Sequence, residues 1–387
     1  MDNFQDIIQF IRKLYNRMEG DIPLHAPIFN GNEKKYINEC IESTFVSSVG
    51  KYVDRFEKAV EEYTGARKAV ATVNGTAALH LALLSVGVQP GEEVITQPLT
   101  FIATANAIIH SRGIPVFIDV DKDTLGMSPG KLEHFLKANT YWDRKVSRTI
   151  NRITKKPISA CVPMHTFGHP CRIDEIVSIC DNYHIPVVED AAESMGSFFK
   201  GKHTGTFGKI GVLSFNGNKI ITTGGGGMIL TDDVELGMHI KHLTTQAKIP
   251  HPWEYKHDYI GFNYRMPNIN AALGVAQLEQ LEEFVVSKRE ITNRYGEFFK
   301  KIGIGFLNEP EYSRSNYWLN TIFLRDAQER DSFLEIANMN GVMSRPTWEL
   351  ISRLFPFESY YCTKIQNSVW ISERVVNLPS SAIIRKC

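Results

Sequence analysis

The sequence predicts an α/β protein: a large domain on a mostly parallel central sheet covered by helices, then a smaller C-terminal α+β domain. Three observations carry this. Between residues 66 and 240 short apolar runs alternate with helix-like segments, as expected of parallel strands buried on both faces. Gly-Ile-Pro before "VFIDV" and His-Ile-Pro before "VVEDAAE" punctuate passages from helix to strand. After about residue 245 the alternation gives way to a link rich in Pro, His and aromatics, then to a long helical run.

The elements follow in order. "MDNFQDIIQFIRKLYNRM" spaces its apolar residues at helical period and carries acids, with no uninterrupted apolar core. It is not a signal peptide, and residues 1–24 read as an N-terminal helical extension. Residues 25–247 read as the large domain, with "KAVATV" before "GTAALHLALLSVG", "EEVITQP" before "TFIATANAIIHSRG", and then "IPVFIDV". The locally basic "KANTYWDRKVSRTINRITKKPIS" reads as a solvated hairpin or loop. "ISACVPMH", a helix "IDEIVSICDNYH" and "IPVVEDAAESMG" resume the alternation. Residues 248–387 form the smaller domain, opening with "KIPHPWEYKHDYIGFNYRMP" and one long helix from "NINAALGVAQL" to "FFKKIG".

Composition narrows the function classes. At 387 residues the chain is about twice the usual size of one domain. Lys plus Arg and Asp plus Glu number 43 each, so no global field steers the protein toward nucleic acid or an acidic membrane. Anion binding must then be local. No stretch approaches the roughly 20 apolar residues of a membrane span. The cysteines (Cys40, Cys161, Cys171, Cys180, Cys362 and Cys387) show no CxxC pairing and read as reduced thiols of a cytoplasmic enzyme. The spacing of Cys161, His165, His169 and Cys171 fits no familiar zinc pattern, and no metal is expected.

Four stretches could carry chemistry. In "TVNGTAALHLAL" a strand ends, Asn74 and Gly75 turn the chain, and a helix begins near Thr76. Free amides at a helix start suit a phosphate, although an ordinary βα turn capped by Asn74 or Thr76 reads the same way. "IPVVEDAAESMGS" ends a strand on Glu189 and Asp190, where α/β folds keep their ligands. A buried Asp there could hold a proton on a heteroaromatic nitrogen, or could simply cap a helix. "LSFNGNKIITTGGGGMIL" places Lys219 between a strand and four glycines. A lysine shielded from water gives up its proton more readily and becomes a nucleophile for an aldehyde. Ser214, five residues earlier, offers a hydroxyl to a phosphate; a plain flexible hairpin is the alternative reading of the glycines. "GFNYRMP" sets Asn263 and Arg265 at a helix entry or domain junction. One ligand answers the first three together: pyridoxal 5′-phosphate, with its phosphate, its basic ring nitrogen and its aldehyde.

These motifs resemble, in order from about residue 23 to the C-terminus, the nucleotide-sugar aminotransferases of the DegT/StrS type. They are "FVSSVGKYVDRFE", "NGTAALHLAL", "PLTFIATANAI", "PVFIDVD", "VVEDAAES", "SFNGNK" with its glycine run, and "GFNYRM" with "AALGVAQLEQLE". The resemblance implies the fold of aspartate aminotransferase-like (fold type I) enzymes. It further implies that Lys219 forms a Schiff base with pyridoxal 5′-phosphate and shuttles the proton between donor and cofactor. By the same resemblance Asp190 pairs with the pyridinium nitrogen, Gly75, Thr76 and Ser214 bind the phosphate, and Phe101 stacks on the ring. Asn263 would reach the phosphate of the neighbouring subunit, which implies a homodimer with shared active sites. The position of Glu193, near the cofactor's phenolic oxygen, more often holds Gln or His; a second anion there repels unless a proton is shared.

"HTFGHP", "SRPTWEL" and the basic insertion at about 137–158 resemble a branch that serves legionaminic-type and related surface-sugar pathways. That branch implies transfer of an amino group from L-glutamate to C4 of a UDP-linked 2-acetamido-4-keto-6-deoxy sugar. His257, Tyr317 and Arg345 are candidate substrate contacts. Three rivals are weaker. A sugar dehydratase of this fold has histidine at the position of Lys219. A nicotinamide dehydrogenase needs GxGxxG where this chain has "VNGTAALH". A non-catalytic binding protein would not need Lys219, Asp190 and Ser214 together.

Overall fold

The computed structural model describes residues 2–47 and 50–384; Cys387 lies outside the described residues. Its central sheet is built from seven strands. Lys68–Thr72, Gly227–Thr231, Ile210–Ser214 and Val188–Asp190 lie side by side in that order. Bridges between Cys161 and Val187 and between Met164 and Asp190 join them to Ile158–Val162, followed by Glu93–Thr96 and Ile114–Phe117. Gly227–Thr231 runs antiparallel to both neighbours, and the other pairings are parallel. Parallel strands need helices on both faces, which explains why these strands are almost wholly buried. Helix Gly75–Ser85 is apolar on all sides for the same reason, being buried along most of its length.

The glycine run lets Gly227–Thr231 return close to the start of helix Gly75–Ser85. Gly224 has φ +80°, a left-handed conformation that glycine adopts without steric cost. A Cβ on Gly227 would sit 2.6 Å from the carbonyl of Asn74, so any side chain there would push away the turn that opens the helix.

A second, antiparallel sheet orders Gly305–Phe306, Asn320–Phe323, Val375–Leu378 and Arg345–Pro346. The first helix, Asp2–Leu14, does not stand apart as an extension. Its Ile7, Ile8, Ile11 and Leu14 share a core with Tyr295, Phe299, Ile322 and Phe333 of the C-terminal region. The expected single helix beyond Pro267 is two, Asn268–Leu278 and Leu281–Ile302. Polar contacts hold the side chains at the break. The carboxamides of Gln277 and Gln280 both donate to Glu33 Oε1 at 2.7 Å, while Glu279 is held by Tyr36 and Arg55. The first of the two helices packs into the core formed by the central sheet and helix Lys51–Thr64. The basic segment is a hairpin of Thr140–Asp143 and Arg148–Asn151, with Arg152 over the ring of Tyr141.

Candidate active site

The site forms where strand ends, a helix start and the glycine loop converge. Asn74, in extended conformation, caps helix Gly75–Ser85 and accepts from the amide of Ala77 at 2.7 Å. Its carbonyl takes the amide of Ala78. The amides of Gly75 and Thr76, the first two of the helix, are left without an intrahelical partner and line the pocket. A Cβ on Gly75 would come within 3.1 Å of Ser214 Cβ and 3.3 Å of its Oγ, closing the space between them. That cradle of two amides and a hydroxyl fits a phosphate at the positive end of a helix.

Alternation along Val188–Asp190 sends the two acids of "VVED" to opposite faces. Glu189 points into protein and is saturated. His165 Nε2 lies 3.0 Å away, and the amides of Gly205, Phe207 and Gly208 donate to it. Burial pushes its carboxyl up, but these bonds outweigh burial and hold it below the ordinary range. Asp190 points into the pocket instead. Thr104 Oγ1 donates to its Oδ2 at 2.6 Å, and the amide of Ala192 to its Oδ1 at 3.2 Å. Burial raises its carboxyl, with these bonds only partly compensating. It caps no helix. A cationic ring nitrogen would supply the missing partner.

Lys219 enters the same pocket, its side chain 13% exposed. Nζ lies 3.2 Å from Glu193 Oε1 and 4.0 Å from the centre of the Trp318 ring. Trp318 is itself fixed by a bond from Nε1 to the carbonyl of Asn218 at 2.7 Å. Glu193 also accepts from the amide of Phe167 at 2.9 Å. Its carboxyl is pushed up to about 7, by burial first, with Lys219 opposing.

The pocket is about 310 Å³, and Gly75, Thr76, Phe101, Asp190, Glu193, Ser214 and Lys219 all line it. Phe101 is half exposed at its rim, its ring 6.2 Å from that of Trp348. Other predicted residues lie elsewhere. Asn263 is exposed and bridges Thr245, outside this chain's own pocket. His257 is also outside it, with Nδ1 2.8 Å from the carbonyl of Gln246. Tyr317 is buried behind the pocket. Its hydroxyl accepts the amide of Glu309 at 2.9 Å and its ring packs against His169, so it meets no ligand in this chain's pocket. Arg345 lines an adjoining cavity. His165 is engaged on both ring nitrogens, by Glu189 and by the amide of Cys171, and Cys161 Sγ lies 3.6 Å from Met127 Sδ. Among the described residues no group of three ligands could hold a metal ion.

Sequence reasoning missed Thr104, Trp318 and Trp348. Thr104 had a usable signal, lying three residues beyond Phe101 at helical spacing and four beyond Thr100, whose hydroxyl it meets at 2.8 Å. The two tryptophans come from the distant C-terminal part of the chain, and nothing local marks them as pocket walls.

A buried amine that faces both an anion-binding helix start and a carboxylate at the end of a parallel strand is the setting of a pyridoxal phosphate enzyme. Residues 27–386 match the DegT/DnrJ/EryC1/StrS aminotransferase family. The chain belongs to that family and is a pyridoxal phosphate-dependent aminotransferase. It is 38% identical over 359 residues to GDP-perosamine synthase of Escherichia coli O157:H7, covering 93% of each chain. It is also 38% identical over 370 residues to the putative pyridoxal phosphate-dependent aminotransferase EpsN of Bacillus subtilis (strain 168), covering 94% of this chain and 92% of EpsN. The aminotransferase TlmJ of Streptoalloteichus hindustanus shares the fold at TM-score 0.84 and 26% identity, covering 93% of this chain and 94% of TlmJ.

Proposed function

We propose that the protein transfers an amino group from L-glutamate to the C4 keto group of a nucleotide-linked 4-keto-6-deoxy sugar, for surface-glycan or nonulosonic-acid synthesis. The observation that carries this is the meeting of Lys219, Asp190 and the Gly75–Thr76 helix start in one pocket. Pyridoxal phosphate supplies the aldehyde and the electron sink. The residues divide the remaining work. The amides of Gly75 and Thr76, with Ser214, hold the phosphate. Asp190 keeps a proton on the ring nitrogen, and Phe101 covers the ring. Lys219 would hold the cofactor by its aldehyde and carry a proton between donor and cofactor. Glu193 would share a proton with the phenolic oxygen.

The sequence branch favours a UDP-linked 2-acetamido sugar as acceptor. A second reading, a GDP-linked acceptor, is favoured by the relative named GDP-perosamine synthase. A cytoplasmic homodimer fits both readings. The segment carrying Asn263 and His257 leaves Trp253, Tyr255, Tyr259 and Ile260 exposed, an apolar surface that a second copy would cover. The residues would then form a large domain around the central sheet and a small domain around the C-terminal sheet. An absorption spectrum with added cofactor tests the first half of the reaction. A band near ~410–430 nm should move to ~330 nm with excess L-glutamate. Offering UDP- and GDP-linked keto sugars to the aminated protein then separates the two acceptors. A protein that binds no cofactor would sink the whole reading.

A further inference from the structure

A cavity of about 410 Å³ adjoins the Lys219 pocket and shares Asn218, Trp318 and Trp348 with it. Its polar walls differ from those of its neighbour. His25 and Arg345 line it, and among the described residues no carboxylate does. His25 Nδ1 is buried and has no hydrogen-bond partner among the described residues. The ring is held well below its ordinary pKa by burial, then by the nearby charges of Lys288 and Lys219. Lys288 is buried, and among the described residues its ammonium meets only the carbonyls of Trp318, at 3.2 Å, and Ser380. Arg345 gives Nη1 to Asn338 Oδ1 and to the carbonyl of Ser344, both at 2.8 Å, and among the described residues its guanidinium makes no other hydrogen bond.

A guanidinium beside a buried, unpartnered imidazole nitrogen, at a concave site that no carboxylate lines among the described residues, suits an anion. The cavity borders the place where the amino donor must react. We infer that it receives the side-chain carboxylate of a dicarboxylic amino donor, held by Arg345 and His25 beside the wall of Trp318 and Trp348. This rests on the aminotransferase reading and deepens it. The guanidinium offers a planar fork to a carboxylate, and the orphaned imidazole nitrogen gains a partner. A monocarboxylic amino acid such as alanine would leave both unpaired, which gives the site a reason to discriminate.

Glutarate, a diacid that cannot be transaminated, is the probe, with valerate as its single-carboxylate control. Binding to the cofactor-loaded protein can be read by calorimetry, and independently by the fluorescence of Trp318 and Trp348. Glutarate should bind at least about tenfold more tightly than valerate, and Arg345→Gln or His25→Leu should each remove most of that preference. Arg345 is exposed, so its variant should fold even if the His25 change does not. A preference that survives in both variants, or one absent from the wild type, overturns the inference while the ~410–430 nm band still supports the aminotransferase reading. Failure to take up cofactor would overturn both.

Discussion

The two sides of Trp318 handle buried charge in opposite ways. On the side of the central sheet the buried acids have partners supplied by the fold: Glu189 is satisfied by His165 and three amides, while Glu193 meets Lys219 and the amide of Phe167 but keeps a carboxyl raised by burial. On the far side, around the adjoining cavity, the groups are basic, and among the described residues Lys288, Arg345 and His25 Nδ1 meet carbonyl oxygens or nothing. A buried charge survives only if paired or hydrogen-bonded. The first arrangement therefore reads as scaffold around a reactive amine, and the second as a site that a ligand completes.

The sharpest way to break this comparison is at Lys219. Lys219→Ala should abolish covalent retention of the cofactor and lower turnover by several orders of magnitude, since both the attaching amine and the proton carrier go. Absorbance after gel filtration and single-turnover amination by glutamate check it. Near-normal turnover would remove Lys219 from the mechanism.

Glu189 and Asp190 are adjacent in sequence and separable by experiment. Glu189→Gln should cost about 3 kcal/mol or more of stability, because a carboxamide cannot accept from three amides and an imidazole together. Asp190→Asn should cost much less stability, since Asp190 accepts only two bonds, yet raise the barrier to amination by about 2–4 kcal/mol. Urea unfolding of the cofactor-free variants, set beside single-turnover rates, would show the crossed pattern. Equal stability losses would mean that the two carboxylates share one structural role.

Lys288 sharpens the basic side. Burial lowers its pKa from 10.5 to about 7. Below pH 7 folded and unfolded chains both carry the proton, and the folded state bears the full cost of burying it. Between pH 7 and 10.5 the unfolded chain keeps a proton that the folded chain has released, so stability from this group rises with pH. Lys288→Met should flatten that rise, removing on the order of 2–3 kcal/mol of pH dependence. Denaturation midpoints of both proteins at pH 7 and 10 read it directly. Parallel curves would mean that the folded protein holds Lys288 in the same charge state as the unfolded chain across that range.

Much of this was legible in the sequence, and the part that was not shares one physical cause. The apolar runs and the Pro punctuation describe local preference, and they led correctly to a mostly parallel sheet. The "NGT", "VVED" and "SFNGNK" stretches owe their pocket positions to strand ends and a helix start, which are also local. Tyr317 misled because a tyrosine in a polar stretch looks the same whether its hydroxyl meets a ligand or, as here, the amide of Glu309. The break after Leu278 was hidden because the group that Gln277 and Gln280 meet there, the carboxylate of Glu33, lies far away in sequence. Trp318 and Trp348 escaped for the same reason, being walls supplied by another part of the chain.

The smallest effect concerns Glu193, where the two sides of Trp318 touch. Its carboxyl, raised from 4.5 to about 7 by burial against the pull of Lys219, is protonated in the folded protein over a range where the unfolded chain has lost that proton. Stability from this group is therefore greatest below pH 4.5 and declines as pH rises to 7, after which the cost is constant. Glu193→Gln should remove the decline, leaving the cofactor-free variant more stable than wild type by on the order of 1–2 kcal/mol at pH 8 and nearly equal at pH 4.5. Denaturation at those two pH values gives the answer. If the variant is instead less stable at pH 8, the ion pair with Lys219 outweighs the cost of burial, and Glu193 belongs with Glu189 as an acid whose charge the fold has already satisfied.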